Sequence, residues 1–194
     1  MTTTISRVYD TYLHAAQAVS KLKAMGIPEA DISLVANRNV SSAYENVTDS
    51  TATESGAGIG AAVGGGVGLL AGIGLLAIPG LGPVVAAGWL AATAAGTLGG
   101  IVAGGIVGAL MEAGVPEADA HVYSESIRRG GTMVTVRTDD TNESLARSVL
   151  DSLSPINIVA RRNEYHKAGW TKFDPDAPDY TLSEAQLERI RRQN

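Results

Sequence analysis

Between Glu54 and Glu112 the chain carries no Asp, Glu, Lys, Arg or His. This uncharged run, residues 55–111, constrains the fold more than any other feature, because so much apolar surface must be hidden from water. A helix crossing the hydrocarbon core of a bilayer needs about 20 apolar residues, so the run has room for two passes. Pro79-Gly80-Leu81-Gly82-Pro83 breaks it in the middle. Pro79 cannot continue a helix, Gly80 and Gly82 permit a tight turn, and Pro83 suits the first turn of a new helix. The pattern predicts a helical hairpin with arms at about 55–78 and 83–111, both ends on one side of a membrane.

Glycine has a period of four in both arms. It falls at Gly56, Gly60, Gly64, Gly68 and Gly72 in the first. In the second it falls at Gly88, Gly96, Gly100, Gly104 and Gly108, with Ala92 filling the remaining step. Four-residue spacing puts small residues on one helix face. In water glycine costs a helix about 1 kcal/mol against alanine, whereas in lipid the backbone must be hydrogen-bonded and small faces let helices approach. A flexible linker does not fit, since Ile, Leu, Val and Ala fill the gaps. A hairpin buried inside a soluble oligomer is the remaining alternative.

Composition narrows the function classes. Charged residues are 18%, below the roughly 25% of ordinary soluble domains. A net charge of −5 argues against a general nucleic-acid binder. The absence of cysteine removes disulfides, thiolate metal sites and cysteine nucleophiles. Met1-Thr2-Thr3-Thr4 is not a basic region followed by an apolar run, so a cytoplasmic N-terminus is expected.

The flanks alternate strand and helix. Residues 4–9 read as a strand, and Asp10 or Thr11 caps a helix that ends at Gly26. A second strand follows at 31–36. After the hairpin, Gly114-Val115-Pro116-Glu117-Ala118-Asp119 echoes Gly26-Ile27-Pro28-Glu29-Ala30-Asp31, which one helix-capping solution used twice would explain. A helix at 116–129, a strand at 132–137, a helix at 141–153 and a strand at 157–160 complete the pattern. The expected fold is α+β: a ferredoxin-like, four-stranded antiparallel sheet with helices on one face. An inserted glycine-zipper transmembrane hairpin splits it. The parts are 1–37 (first half), 38–54 (polar linker), 55–111 (hairpin), 112–162 (second half) and 163–194 (extended arm and a short helix from Thr181).

Several of these stretches carry a resemblance. The GIPEAD turn, the long alanine/glycine hairpin and GVPEADAHVYSESIRRGGTMVTV at 114–136 resemble the bacterial general stress protein 17M-like family. They are most similar to its membrane-associated, glycine-zipper-bearing members, as is the tail WTKFDPDAPDYT. The resemblance implies a ferredoxin-like domain and a link to the stress response, and it supplies no catalytic residues.

The residues themselves offer little chemistry. His14, His121 and His166 lie in separate segments without zinc-ligand spacing. Gly66-Val67-Gly68-Leu69-Leu70-Ala71 matches a degenerate dinucleotide fingerprint but follows no strand. Asp139-Asp140 reads as part of a helix cap. Arg128 and Arg129 suit a helix C-terminus, or contact with lipid headgroups or a neighbouring subunit. No catalytic, cofactor or metal site and no small-molecule substrate is expected. The expected function is a non-enzymatic stress-response scaffold of the inner (cytoplasmic) membrane, with the lipid bilayer and further copies of the chain as partners. A pore-forming protein and a soluble ligand-sensing module are the alternatives.

Overall fold

The computed structural model describes residues 2–37, 74–78, 82–90, 105–177, 180, 183–185 and 188. Strand β1 spans Thr2–Tyr9, helix α1 Tyr12–Ala24 and strand β2 Ile32–Asn37. Strands β3 (Gly74–Ile78) and β4 (Gly82–Ala87) follow. Then come helices α2 (Gly105–Glu112) and α3 (Glu117–Arg128), strand β5 (Thr132–Asp139), and helices α4 (Glu143–Asp151) and α5 (Ile158–Lys167). All strands pair antiparallel in one sheet of order β1-β5-β2-β4-β3.

The local reasons are visible in the sequence. Thr11 supplies the α1 cap: its Oγ1 accepts from the His14 amide at 3.2 Å. Gly26 (φ +84°) and Gly114 (φ +88°) sit in the left-handed region just past α1 and α2. The next amides, Ile27 and Val115, donate back to Leu22 and Leu110 at 3.2 and 3.0 Å, so one glycine cap is used at both echoed motifs. The two copies then diverge: Glu29–Asp31 makes one 3-10 turn before β2, while Glu117 continues into α3.

Helices cover both faces of the sheet, not one. Ile5, Tyr9, Ile32, Leu34, Val134 and Val136 pack against α1 and α4 through Tyr12, Val19, Leu22, Ala146 and Leu150. Val8, Val35 and Met133 face the opposite way, against Ile106 and Leu110 of α2 and Ala120, Tyr123 and Ile127 of α3. Every residue of β2 is therefore buried, as expected of a strand sandwiched between two helical layers.

This architecture corrects the expected fold in three places. The sheet is not the four-stranded ferredoxin-like plan. Its described core is β1-β5-β2, and β4 and β3 extend it beyond β2. Secondly, the expected last strand at 157–160 opens helix α5, because the Asn157 side chain accepts from the Ala160 amide at 2.9 Å and caps a helical turn. β-branched Ile158 and Val159 suggested a strand, and that local preference lost to the cap.

Thirdly, the middle of the expected membrane hairpin is a β-hairpin. Residues 74–78 pair with 82–86 and β4 pairs with β2, placing them in the sheet. The period-four glycines lapse here, at Leu76 and Val84, while Val84, Val85 and Ile78 favour a strand. Among the described residues no helix is long and apolar enough to cross a membrane. Helix α2, within the expected second arm, has eight residues, and its Ile106, Val107, Ala109 and Leu110 are buried in the core. The expected transmembrane hairpin and inner-membrane location are overturned on these grounds. The expected linker 38–54, the hairpin segments 55–73, 79–81 and 91–104, and Thr181 lie outside the described residues.

Candidate functional site

The densest polar cluster forms at the C-terminal end of α3. Glu125 is 1% exposed, and its two oxygens accept three charge-assisted hydrogen bonds. Arg128 donates at 3.0 and 2.7 Å, and Arg129 at 2.6 Å. The i,i+3 and i,i+4 spacing on one helix makes this possible. Bonding to Glu125 raises the pKa of Arg128 above its ordinary value. Both arginines also place positive charge where the helix dipole is negative.

Neighbouring elements close over the cluster. Arg129 lies 4.4 Å from the ring centroid of Tyr165 in α5. The Tyr165 hydroxyl is 3.1 Å from Ser126 Oγ, and burial raises its pKa. Trp170 meets Tyr165 edge-on at 5.5 Å. Tyr180, further along the arm, sits 5.6 Å from Arg128 and 5.9 Å from Arg129. From the sheet, Asn37 Nδ2 donates to the Arg128 carbonyl at 3.2 Å, tying the end of β2 to the end of α3. Four parts of the chain thus meet on one turn of helix.

Other charges are spent on similar ties. Arg7 holds Asp151 at 2.7 Å, Arg161 holds Asp10 at 2.7 Å, and Arg162 pairs with Asp119. Burial works against the charge of Arg7, but its bond and Coulombic attraction to Asp151, with smaller contributions from Tyr123 and Tyr9, together hold the pKa above its ordinary value. A second buried polar feature crosses the sheet. Ser6, Thr135 and Ser33 lie in register on β1, β5 and β2. Ser6 and Thr135 hydroxyls are 3.1 Å apart, and Ser33 Oγ accepts from the Leu90 amide at 3.2 Å. Among the described residues no group of three His, Cys, Asp or Glu could hold a metal ion.

The sequence singled out Arg128 and Arg129, and the structure brings both onto Glu125. Their helical spacing from Glu125 was legible; Tyr165, Tyr180 and Asn37 come from distant segments and carried no such signal. The glycine face is only partly described. Gly88 follows β4 in the left-handed region (φ +87°), and Gly108 lies in α2. Gly82 opens β4 opposite Ile78, and Pro83 stands opposite Ala77. Gly56, Gly60, Gly64, Gly68, Gly72, Ala92, Gly96, Gly100 and Gly104 lie outside the described residues, as do Pro79 and Gly80.

Part of the chain is similar to a known family. Residues 4–76 match the family model of the heat induced stress protein YflT domain. The match supports a general stress protein family, and it says nothing for a membrane-associated, glycine-zipper subtype. No curated protein and no solved structure matches the chain. The YflT-like stretch holds most of β1, all of α1 and β2 and the start of β3, but β5 stands between β1 and β2 in the sheet. Residues 132–139 are therefore needed to complete the sheet that the YflT-like stretch begins.

Proposed function

We propose that this protein serves the stress response without catalysing a reaction, and that it acts by associating with other macromolecules, copies of itself first. One observation carries the reading. The most buried carboxylate among the described residues, Glu125, is consumed by internal bonds to Arg128 and Arg129, and the cluster around it joins α3, α5, the arm and β2. An acid or base at work needs an open approach to a substrate proton. Here the acceptor atoms face the protein's own guanidinium groups, so the cluster fastens the fold. The match to a heat induced stress domain supports the stress-response part of the reading.

The test is heat survival of cells that depend on this chain. Alanine replacements at His14, His121, His166, Asp139 and Asp140 are expected to sustain survival at the wild-type level. Loss of survival by one of them, with unchanged melting temperature and unchanged mass in solution, sinks the non-enzymatic reading.

A further inference from the structure

Past α5 the chain turns back over the helices. Gly169 takes the left-handed conformation (φ +85°), and the Trp170 amide donates to the Tyr165 carbonyl at 3.0 Å, the glycine cap already met after α1 and α2. Three rings then hold the arm. Trp170 meets Tyr165 at 5.5 Å and His166 at 5.6 Å. Phe173 is 4% exposed and belongs to the buried cluster of Ile127 and Met133. Tyr180 reaches Arg128 and Arg129. Asp174 lies near enough to Arg128 for their charges to attract.

The backbone of the arm is not tied down in the same way. Residues 170–177 form neither strand nor helix, and Phe173 alone among them is buried. Among the described residues, their hydrogen bonds stay within the segment or return to the last turn of α5. The segment before α5, by contrast, is bonded to the sheet, the Ile156 amide donating to the Val8 carbonyl at 2.8 Å. The docked arm also carries a penalty. Trp170 Nε1 is shut off from solvent without a hydrogen-bond partner, and water supplies one on release.

From this contrast we propose that the segment beginning at Gly169 and carrying Trp170 and Phe173 is a strap, which lets go of α3 and α5 on warming while the sheet and its helices stay folded. A segment with few buried side chains and no ladder opens at a lower free energy than the core. The entropy of freed chain weighs more as temperature rises, so warming favours release. Release hydrates Trp170 Nε1, empties the apolar seat of Phe173 and bares Tyr165 and Arg129. The molecule thereby has two surfaces, closed in the cold and apolar with an arginine rim in the warm. This device goes beyond the association reading and stands whether or not copies of the chain assemble.

The chain has two tryptophans, so Trp89→Phe leaves Trp170 as the sole reporter in the full-length protein. Its emission is expected to move to the red at a temperature below the midpoint of the far-ultraviolet change. Adding Phe173→Ala is expected to lower the temperature of the Trp170 transition more than that midpoint. Trypsin reads the same event in the wild type, because Lys172 lies in the strap next to Phe173. Below the midpoint, cleavage after Lys172 is expected to be at least about tenfold faster than after Arg137 in β5 or Arg147 in α4, since cleavage follows the population of the open form. Coincident Trp170 and far-ultraviolet transitions overturn the proposal, as does an equal shift of both by Phe173→Ala. Cleavage after Lys172 that begins only with cleavage at Arg137 and Arg147 overturns it too, and so does cleavage as fast in the cold as in the warm. If Trp89→Phe does not fold, the cleavage pattern of the wild type decides.

Discussion

The guanidinium of Arg129 lies 4.4 Å from the ring centroid of Tyr165 while its Nε donates to Glu125 at 2.6 Å. One side chain thus links a buried carboxylate on α3 to an aromatic ring on α5. A cation over a partly desolvated ring contributes about 1–2 kcal/mol, and charge-assisted hydrogen bonds contribute roughly 1.5–3 kcal/mol each. The pairing explains why α5 is held on α3 although Tyr165 is its one buried residue.

Glu125→Gln should therefore be costly. It leaves two partly buried guanidinium groups facing a neutral amide. We expect a loss of about 2–3 kcal/mol, under the full cost of breaking a deeply buried pair because both arginines reach solvent. Urea unfolding measures it directly. A change under about 0.5 kcal/mol would show that the cluster does not hold the fold.

Gly88 passes closely over β2. A Cβ added there would lie 2.1 Å from the Ile32 carbonyl oxygen and 2.8 Å from Ser33 Cα, at φ +87°. Both atoms belong to a strand buried on both faces and cannot yield. Gly88→Ala should cost about 3 kcal/mol or more. Gly26 has a similar φ of +84° with nothing within 4 Å of the added atom, so Gly26→Ala should cost only about 1 kcal/mol. Equal melting temperatures for the two variants would refute the clash.

Alkaline pH should weaken the fold through its tyrosines. Burial raises the pKa values of Tyr9, Tyr123 and Tyr165 above the ordinary 10.0. Below pH 10 both folded and unfolded chains keep these protons, so this contribution is whole. Above it the unfolded chain releases protons that the folded chain retains, and stability is lost until pH passes the folded values. Each such group costs up to about 1.4 kcal/mol per pH unit in that window. Thermal unfolding between pH 9 and 11 should show the fall beginning near pH 10. Tyr9→Phe should lessen its slope, and an equal slope would remove Tyr9 from the account.

Much of the local structure was legible. Thr11, Gly26, Gly114 and the apolar spacing of α1 and α3 determine their helices through nearest neighbours in the chain, so reading the residues in order was enough. The alternation in β1 and β5 was legible for the same reason. The candidate site was half legible: Arg128 and Arg129 stood out, and Glu125 sits at helical spacing from them. Tyr165, Tyr180 and Asn37 join that site only because α5, the arm and β2 converge on α3.

The uncharged run suggested a membrane hairpin, and strands at 74–78 and 82–87 overturn it. Hydrophobicity determines that a segment leaves water; it does not say whether lipid or protein receives it. Residues 82–87 pair with the edge of β2 and residues 74–78 pair with 82–86, an arrangement that only the assembled sheet provides. The same holds for α5, where a single cap at Asn157 overrode a β-branched start. The sequence by itself determined caps, turns and which residues avoid water. Strand order and the covering of both sheet faces were decided by tertiary structure, because they depend on contacts between residues about a hundred positions apart.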